Sequence, residues 1–340
     1  MWFTEVELED QLSRPSNADI EMMASLEGDL LILGVGGKMG PSLARLTRRA
    51  ADQAGAKSKR IIAVARFSNP GLAEQLQADG VETITSDLLE LGALDRLPDC
   101  PNVIFMAARK FGTTGAEHLT WAMNTYLPGR VAERFRNSRI VAFSTGNVYP
   151  LRPVAEGGAT ESTPIAPVGE YGQSALGRER LFTYASHTWG TPVSILRLNY
   201  AVEMRYGVLS DIGKAVFERR PVDLRMGLVN VIWQRDANSI CLRSLGLCST
   251  PPNVLNVTGP ETLPVRSVAL NFGEIFGLPV EFEGVESGMA LLNDASKAQR
   301  LFGYPSVTAA ELIEWTANWI RQGGASLNKP THFQAQDGKF

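Results

Sequence analysis

The run Asp29-Leu-Leu-Ile-Leu-Gly34-Val-Gly36-Gly37-Lys38-Met39-Gly40-Pro41 decides the architecture. A short apolar segment passes at once into a G-x-x-G-x-x-G loop, made by Gly34, Gly37 and Gly40 with Gly36 as an extra, and then into a helical stretch, Pro41–Gln53. Strand, glycine loop and helix in that order suit a dinucleotide. Glycines permit the tight turn and let backbone approach a diphosphate, and the helix start offers free N–H groups and a positive dipole end. The loop residues Gly34, Gly36, Gly37, Lys38, Met39 and Gly40 are therefore candidate cofactor contacts.

Working outward, apolar runs recur at Arg60–Ala65, Val81–Ile84, Val103–Ala108, Arg139–Ser144 and Val193–Leu198. Helix-like amphipathic segments lie between them, near 70–78, 89–97, 115–136 and 171–187. Strands read as near-continuous apolar runs when a sheet is covered on both faces. Their alternation with helices predicts an α/β fold with a doubly wound parallel sheet and right-handed crossovers. Past about residue 199 the rhythm loosens and Pro and Gly become frequent, although 207–219, 265–276 and 309–322 still read as helices. The expected division is an acidic N-terminal arm (1–28), a dinucleotide-binding domain (29–200), a smaller C-terminal substrate lobe (201–322) with some return to the core, and a tail (323–340). Up to Asp29 eight acids oppose Arg14 alone, a net charge of −7, and one or two short surface helices are expected there.

Composition narrows the function. Of 340 residues, 44% are hydrophobic and 20% charged, which supplies a sizeable core and argues against disorder. Lys+Arg 33 against Asp+Glu 36 leaves a net charge of −3, with no basic field for nucleic acid and no polybasic membrane anchor. The apolar runs fall short of the ~20 residues of a membrane span, and acids stand where a signal peptide carries a basic start. A soluble, cytoplasmic protein is expected. Cys100, Cys241 and Cys248 are scattered, and His118, His187 and His332 share no i,i+4 spacing, so no metal centre is expected.

The second strand ends at Ala65-Arg66, where NAD binding calls for a carboxylate on the ribose; Arg66 instead suits a 2′-phosphate. NADP is favoured, with NAD as the alternative. Asp87-Leu88 ends the third strand and is placed to touch the adenine. Ala107 and Ala108 end the fourth, where small side chains let a cofactor lie against the backbone.

The chain resembles an extended short-chain dehydrogenase/reductase of the nucleotide-sugar epimerase/dehydratase type. The resemblance spans roughly residues 29–320. It rests on the glycine loop, Asp87-Leu88, Ala107-Ala108, Asn124 in a long helix, Ser144-Thr145-Gly-Asn-Val-Tyr149, Glu161-Ser-Thr-Pro164, Tyr171-Gly-Gln-Ser-Ala175 and Arg197-Leu-Asn199-Tyr200. It implies a Rossmann-type cofactor domain, a substrate lobe, a sugar-like or nucleotide-sugar-like substrate, and homodimers through a four-helix bundle of helices near 115–136 and 171–187. It also implies that Thr145 orients the substrate oxygen and Tyr171 moves a proton as hydride is exchanged, with Asn124, Tyr171 and Asn199 near the cofactor.

The family's lysine, four residues after the tyrosine, is here Ala175. An unperturbed tyrosine has a pKa of about 10, so the loss of that cation bears on both proton transfer and cofactor grip. Arg178, seven residues after Tyr171, returns to nearly the same helix face and leans toward the helix start; an ion pair with Glu179 is its competing use. Lys110, just past the fourth strand, is the second stand-in. Arg205, Arg225, Trp233 and Arg235 fall in the substrate-lobe half, where arginines suit an anionic substrate, and Asp236 suits a helix N-cap. The expected function is an NAD(P)-dependent oxidoreductase or epimerase. Two alternatives are a non-catalytic NADP-binding sensor or scaffold, favoured by Ala175, and an isomerase or lyase that oxidises its substrate transiently on a tightly held cofactor.

Overall fold

The computed structural model describes residues 4–338. Its main sheet has seven strands: β1 (Leu30–Leu33), β2 (Ile61–Ala65), β3 (Glu82–Thr85), β4 (Asn102–Phe105), β5 (Arg139–Thr145), β6 (Val193–Leu198) and β7 (Asn253–Val257). Across the sheet they run 3-2-1-4-5-6-7, and every neighbouring pair is parallel. This is the Rossmann order with a seventh strand added, so the topological switch falls between β1 and β4. β1, β2 and β4 are buried along their whole length, which is why they read as unbroken apolar runs.

Helices cover both faces. On one side, α3 (Gly40–Gln53), α4 (Leu72–Ala78), α9 (Gln234–Arg243) and α11 (Ser296–Phe302) pack Leu43, Leu46, Leu76, Ala237, Leu242 and Phe302 into the core under the sheet. On the other, α6 (Leu127–Arg134) and α7 (Gly169–Trp189) bury Leu127, Val131, Phe182 and Ala185. The lobe core gathers α8 (Val208–Phe217), α10 (Val265–Phe276) and α12 (Ala309–Arg321) around Ile212, Phe272 and Trp319.

The acidic arm folds as α1 (Glu5–Ser13) and α2 (Asn17–Ser25), each opened by a capping box, Thr4 with Glu7 and Ser16 with Asp19. Leu8 and Leu12 enter the lobe core, and Met23 enters the core under the sheet. Glu9 pairs with Arg45 at 2.9 Å and Arg205 at 2.7 Å, so the arm's charge is met by α3 and by the lobe.

Three expectations change. Residues 89–97 form turns, because Gly92 takes a left-handed φ of 73° in the middle of the stretch. The helix expected over 115–136 is α5 (Glu117–Trp121), a π turn (Ala122–Tyr126) and α6 in succession. β7 and α9 arise from the stretch whose pattern looked loose. In β7 the polar Asn253 and Asn256 interrupt the apolar run, yet the strand completes the sheet beside β6.

Candidate active site

The site forms at the switch point. Gly34 has a φ of 93°, and a Cβ there would lie 2.5 Å from the Ala107 nitrogen. A Cβ on Gly40 would meet the Val35 carbonyl oxygen at 2.1 Å. Both positions therefore require glycine. α3 opens without a side-chain cap, so its first-turn N–H groups are left for another acceptor. The exposed backbone of Gly36 and Gly37 forms the rest of the cradle. These features fit a dinucleotide diphosphate.

Two cavities meet at Gly37 and Lys38. One, of about 720 Å³, runs along α3 past Gly36, Ser42 and Asn69. The other, of about 290 Å³, is lined by Met39, Ala108, Lys110, Thr145, Tyr171, Arg178 and Asn199 among others. With Gly37 and Lys38, the fold thus gathers nine of the expected residues, from the ends of β4, β5 and β6, from α7 and from the glycine loop, around one space.

Tyr171 stands in the first turn of α7. A Cβ on Gly172 would come 2.7 Å from the Asn147 carbonyl oxygen; this close approach brings the helix start onto the turn after β5. The Tyr171 and Thr145 hydroxyls share a hydrogen bond. Thr145 Oγ1 also accepts from the Asn147 backbone N–H at 3.2 Å and its side-chain amide at 3.1 Å. Burial raises the Tyr171 pKa above its ordinary value, while the Arg178 charge and the Thr145 bond pull it back down.

Arg178 is buried and does not pair with Glu179. It donates from Nη1 to the Phe143 carbonyl at 2.7 Å and from Nη2 to Asn124 Oδ1 at 3.0 Å, with its Cζ 5.6 Å from the Phe105 ring centroid. Ala175 is fully buried beneath it. Glu179 instead forms a buried pair with Arg197 at 2.7 Å, accepts from Ser144 Oγ at 2.6 Å, and leaves Arg197 to donate to the Tyr149 hydroxyl at 2.7 Å. This network ties β5, β6 and α7 together behind the site.

Some expected residues lie elsewhere. Asn124 does not line the cavity: the π turn points it inward, where it accepts from the Arg109 backbone N–H at 2.8 Å and donates to Ser174 Oγ at 3.0 Å. It is a clamp between the β4 loop and α7. Leu88 turns into the core, and Asp87 Oδ1 accepts from the Leu89 N–H at 3.0 Å. Arg66 is exposed, 4.0 Å from Asp87. Arg205, Arg225 and Arg235 are taken up by Glu203, Asp223 and Asp236 at 3.1, 2.5 and 3.0 Å. Asp236 is inside α9 rather than at its N-cap and accepts from the Ser306 backbone and hydroxyl, each at 2.8 Å.

The expected Lys38, Lys110 and Tyr200 line the same cavity, with Tyr206 and Thr331 beside them. Lys38 reaches across the cleft to donate to the Ala201 carbonyl at 2.6 Å, 4.1 Å from the Tyr206 ring centroid. Burial pulls its pKa to about 7. Lys110 donates to the Thr331 carbonyl at 3.2 Å, and burial lowers its pKa to about 8. Tyr200 holds a φ of 46°, unusual for an aromatic residue and worth about 1–3 kcal/mol of strain at a functional site. Tyr206 and Thr331 come from loops whose approach only the tertiary fold creates.

A Rossmann sheet with this cradle and a second, smaller lobe is that of an extended short-chain dehydrogenase/reductase. The chain belongs to the NAD dependent epimerase/dehydratase family, whose model matches residues 30–202. Similar solved structures include MoeE5 in complex with UDP-glucose and NAD (20% identity, 87% of this chain and 99% of that chain, TM-score 0.71). UDP-glucuronic acid 4-epimerase from Bacillus cereus in complex with NAD is similar too (19% identity, 86% and 99%, TM-score 0.72). So is DesIV, a dTDP-glucose 4,6-dehydratase from Streptomyces venezuelae with NAD and TYD bound (19% identity, 86% and 97%, TM-score 0.71). At these identities the likeness is one of fold. No curated protein sequence matches the chain. Among the described residues no helix is long and apolar enough to cross a membrane.

Proposed function

We propose that the protein is an NAD(P)-dependent oxidoreductase or epimerase that exchanges hydride with a carbon bearing a hydroxyl or carbonyl in a sugar-like substrate. The observation that carries this reading is the buried Thr145–Tyr171 hydroxyl pair with the Arg178 charge beside it, opening into the cavity that also reaches the glycine loop. Gly34–Gly40 and the start of α3 hold the diphosphate, with the 720 Å³ and 290 Å³ cavities taking the two halves of the dinucleotide. When bound, the nicotinamide supplies the hydride acceptor or donor.

Thr145 orients the substrate oxygen, and Tyr171 takes or gives its proton. Arg178 replaces the lysine missing at Ala175 as the cation that favours the phenolate. This favours the enzyme over the sensor, since a chain that had lost its chemistry has no need of a buried guanidinium opposite the phenol. Arg66 favours NADP. Exposed Leu119, Trp121, Tyr126 and Tyr184 on α5, the π turn and α7 support a homodimer through these helices, and a cytoplasmic location completes the reading. The test is calorimetric titration with NADP and NAD, followed by turnover of Tyr171→Phe. Intact cofactor affinity with turnover lost supports the assignment; no affinity for either cofactor, or unchanged turnover, refutes it.

A further inference from the structure

The segment after α12 does not trail into solvent. It crosses the cleft between the sheet's carboxyl edge and the lobe. Thr331 is buried at the 290 Å³ cavity, where its backbone N–H and its hydroxyl donate to Asp211 at 2.8 and 2.6 Å and its carbonyl accepts from Lys110. Phe333 packs into the lobe core. Gln336 Nε2 donates to the Arg225 carbonyl at 2.6 Å. Gly338 then lies against the backbone of Val168 and Gly169, where a Cβ would meet the Val168 carbonyl oxygen at 2.4 Å. The strand of chain thus runs from the β4 loop to the start of α7, the helix that carries Tyr171. Along this run the space left between the segment and Asn147, Tyr149, Val168, Met226 and Leu291 is about 20 Å³, room for about one water and none for a nucleotide.

From this closure we infer that Thr331–Gly338 is the specificity wall of the active site and that the substrate is a small, unlinked hydroxy or keto compound of free-sugar or sugar-acid size, without a nucleotide. Cavities that enclose drug-sized ligands run to about 300–1,000 Å³. The 290 Å³ here has to admit the reactive end of the cofactor as well as the substrate. A nucleoside diphosphate tethered to a substrate in this space would have to reach the 510 Å³ cavity of the lobe, and the segment walls both spaces, with Thr331 on one and Pro330, His332 and Phe333 on the other. The inference rests on the reading of this cavity as the hydride-transfer site. It departs from the solved neighbours whose structures hold UDP-glucose or UDP-glucuronic acid.

The experiment titrates UDP-glucose into the full chain saturated with NADP, and into two variants under the same conditions: a chain ending at Lys329, and Thr331→Ala with Phe333→Ala in the full-length chain. Cofactor affinity, measured first, reports separately on the functional reading and on the folding of each variant. The expected result is no UDP-glucose binding up to 1 mM, on the order of the weakest affinities calorimetry resolves, for the intact chain, and a gain of at least roughly tenfold in whichever variant keeps its cofactor affinity. Binding of UDP-glucose by the intact chain overturns the proposal. Absence of binding in all three proteins also overturns it, because the segment is then not what excludes the nucleotide.

Discussion

Arg178 lies two helical turns after Tyr171 on α7, and its buried side chain lines the same cavity as the Tyr171 phenol. The arginine's charge opposes the rise in the tyrosine pKa that burial imposes. On the proposed reading, a cation at i+7 on a long side chain takes the part that the family resemblance gives to a lysine at i+4. It is locked by bonds to Phe143 and Asn124 rather than left free to turn.

Removing that cation has a signed consequence. Arg178→Ala raises the Tyr171 pKa further, and each unit is about 1.36 kcal/mol, a factor of ten in phenolate. The alkaline-going limb of the kcat/KM profile therefore moves to higher pH, and turnover at pH 7 falls at least about tenfold. Ala175→Lys in the Arg178→Ala background recovers part of the loss. An unmoved pH profile rules the cationic role out.

On the proposed reading, Arg66 favours NADP over NAD. It is two-thirds exposed beside Asp87, so its contribution is that of a charge-assisted contact at the surface. Arg66→Ala should weaken NADP roughly tenfold, about 1.4 kcal/mol, and leave NAD unchanged. Equal losses for the two cofactors, read by calorimetry, would remove the 2′-phosphate from its role.

The Glu179–Arg197 pair is structural. Both side chains are about 5% exposed, and taking away one partner leaves the other charge buried. Glu179→Ala should cost about 3–5 kcal/mol in urea unfolding, where an exposed pair such as Arg220–Glu218 costs about 1 kcal/mol or less. A loss no larger than the surface control would mean that water reaches Arg197.

Stability should depend on pH through Lys38. Its folded pKa is about 7, against about 10.4 in an unfolded chain. Above pH 7 the unfolded state therefore holds more protons than the folded state, and stability rises with pH. Between pH 7 and about 8.5, below the titration of unfolded thiols, the cofactor-free protein should gain melting temperature, and Lys38→Met should flatten the gain. Parallel curves for the two proteins would place the Lys38 ammonium in water.

The proposed dimer face can be tested without touching the cavity. Tyr126 and Tyr184 are 59% and 56% exposed. Tyr126→Lys with Tyr184→Glu should yield monomers in sedimentation velocity while cofactor affinity is kept. A wild-type chain that sediments as a monomer at micromolar concentration would end the bundle assignment.

The sequence alone determined the sheet and its cradle. β1, β2 and β4 are apolar on both faces because both faces are covered, and Gly34 and Gly40 are glycines because no Cβ fits at those points; both conditions are local and leave their mark in residue type. Thr145 and Tyr171 were picked out by the resemblance to the family, and the fold sets both at one cavity. The partners of Arg178 were not, because Phe143 and Asn124 come to it from other elements, and a π turn that sequence periodicity does not encode turns Asn124 inward. Nor were Lys38 over Tyr206, Glu179 with Arg197, or the path of Thr331–Gly338. Each of these pairs residues from about 18 to more than 200 positions apart, and burial alone selects which of many equivalent polar side chains meet. Local backbone chemistry wrote the glycine cradle into the chain and helix spacing brought Arg178 to the face of Tyr171, while only long-range packing decided the partners of that charge and the size of the space in front of it.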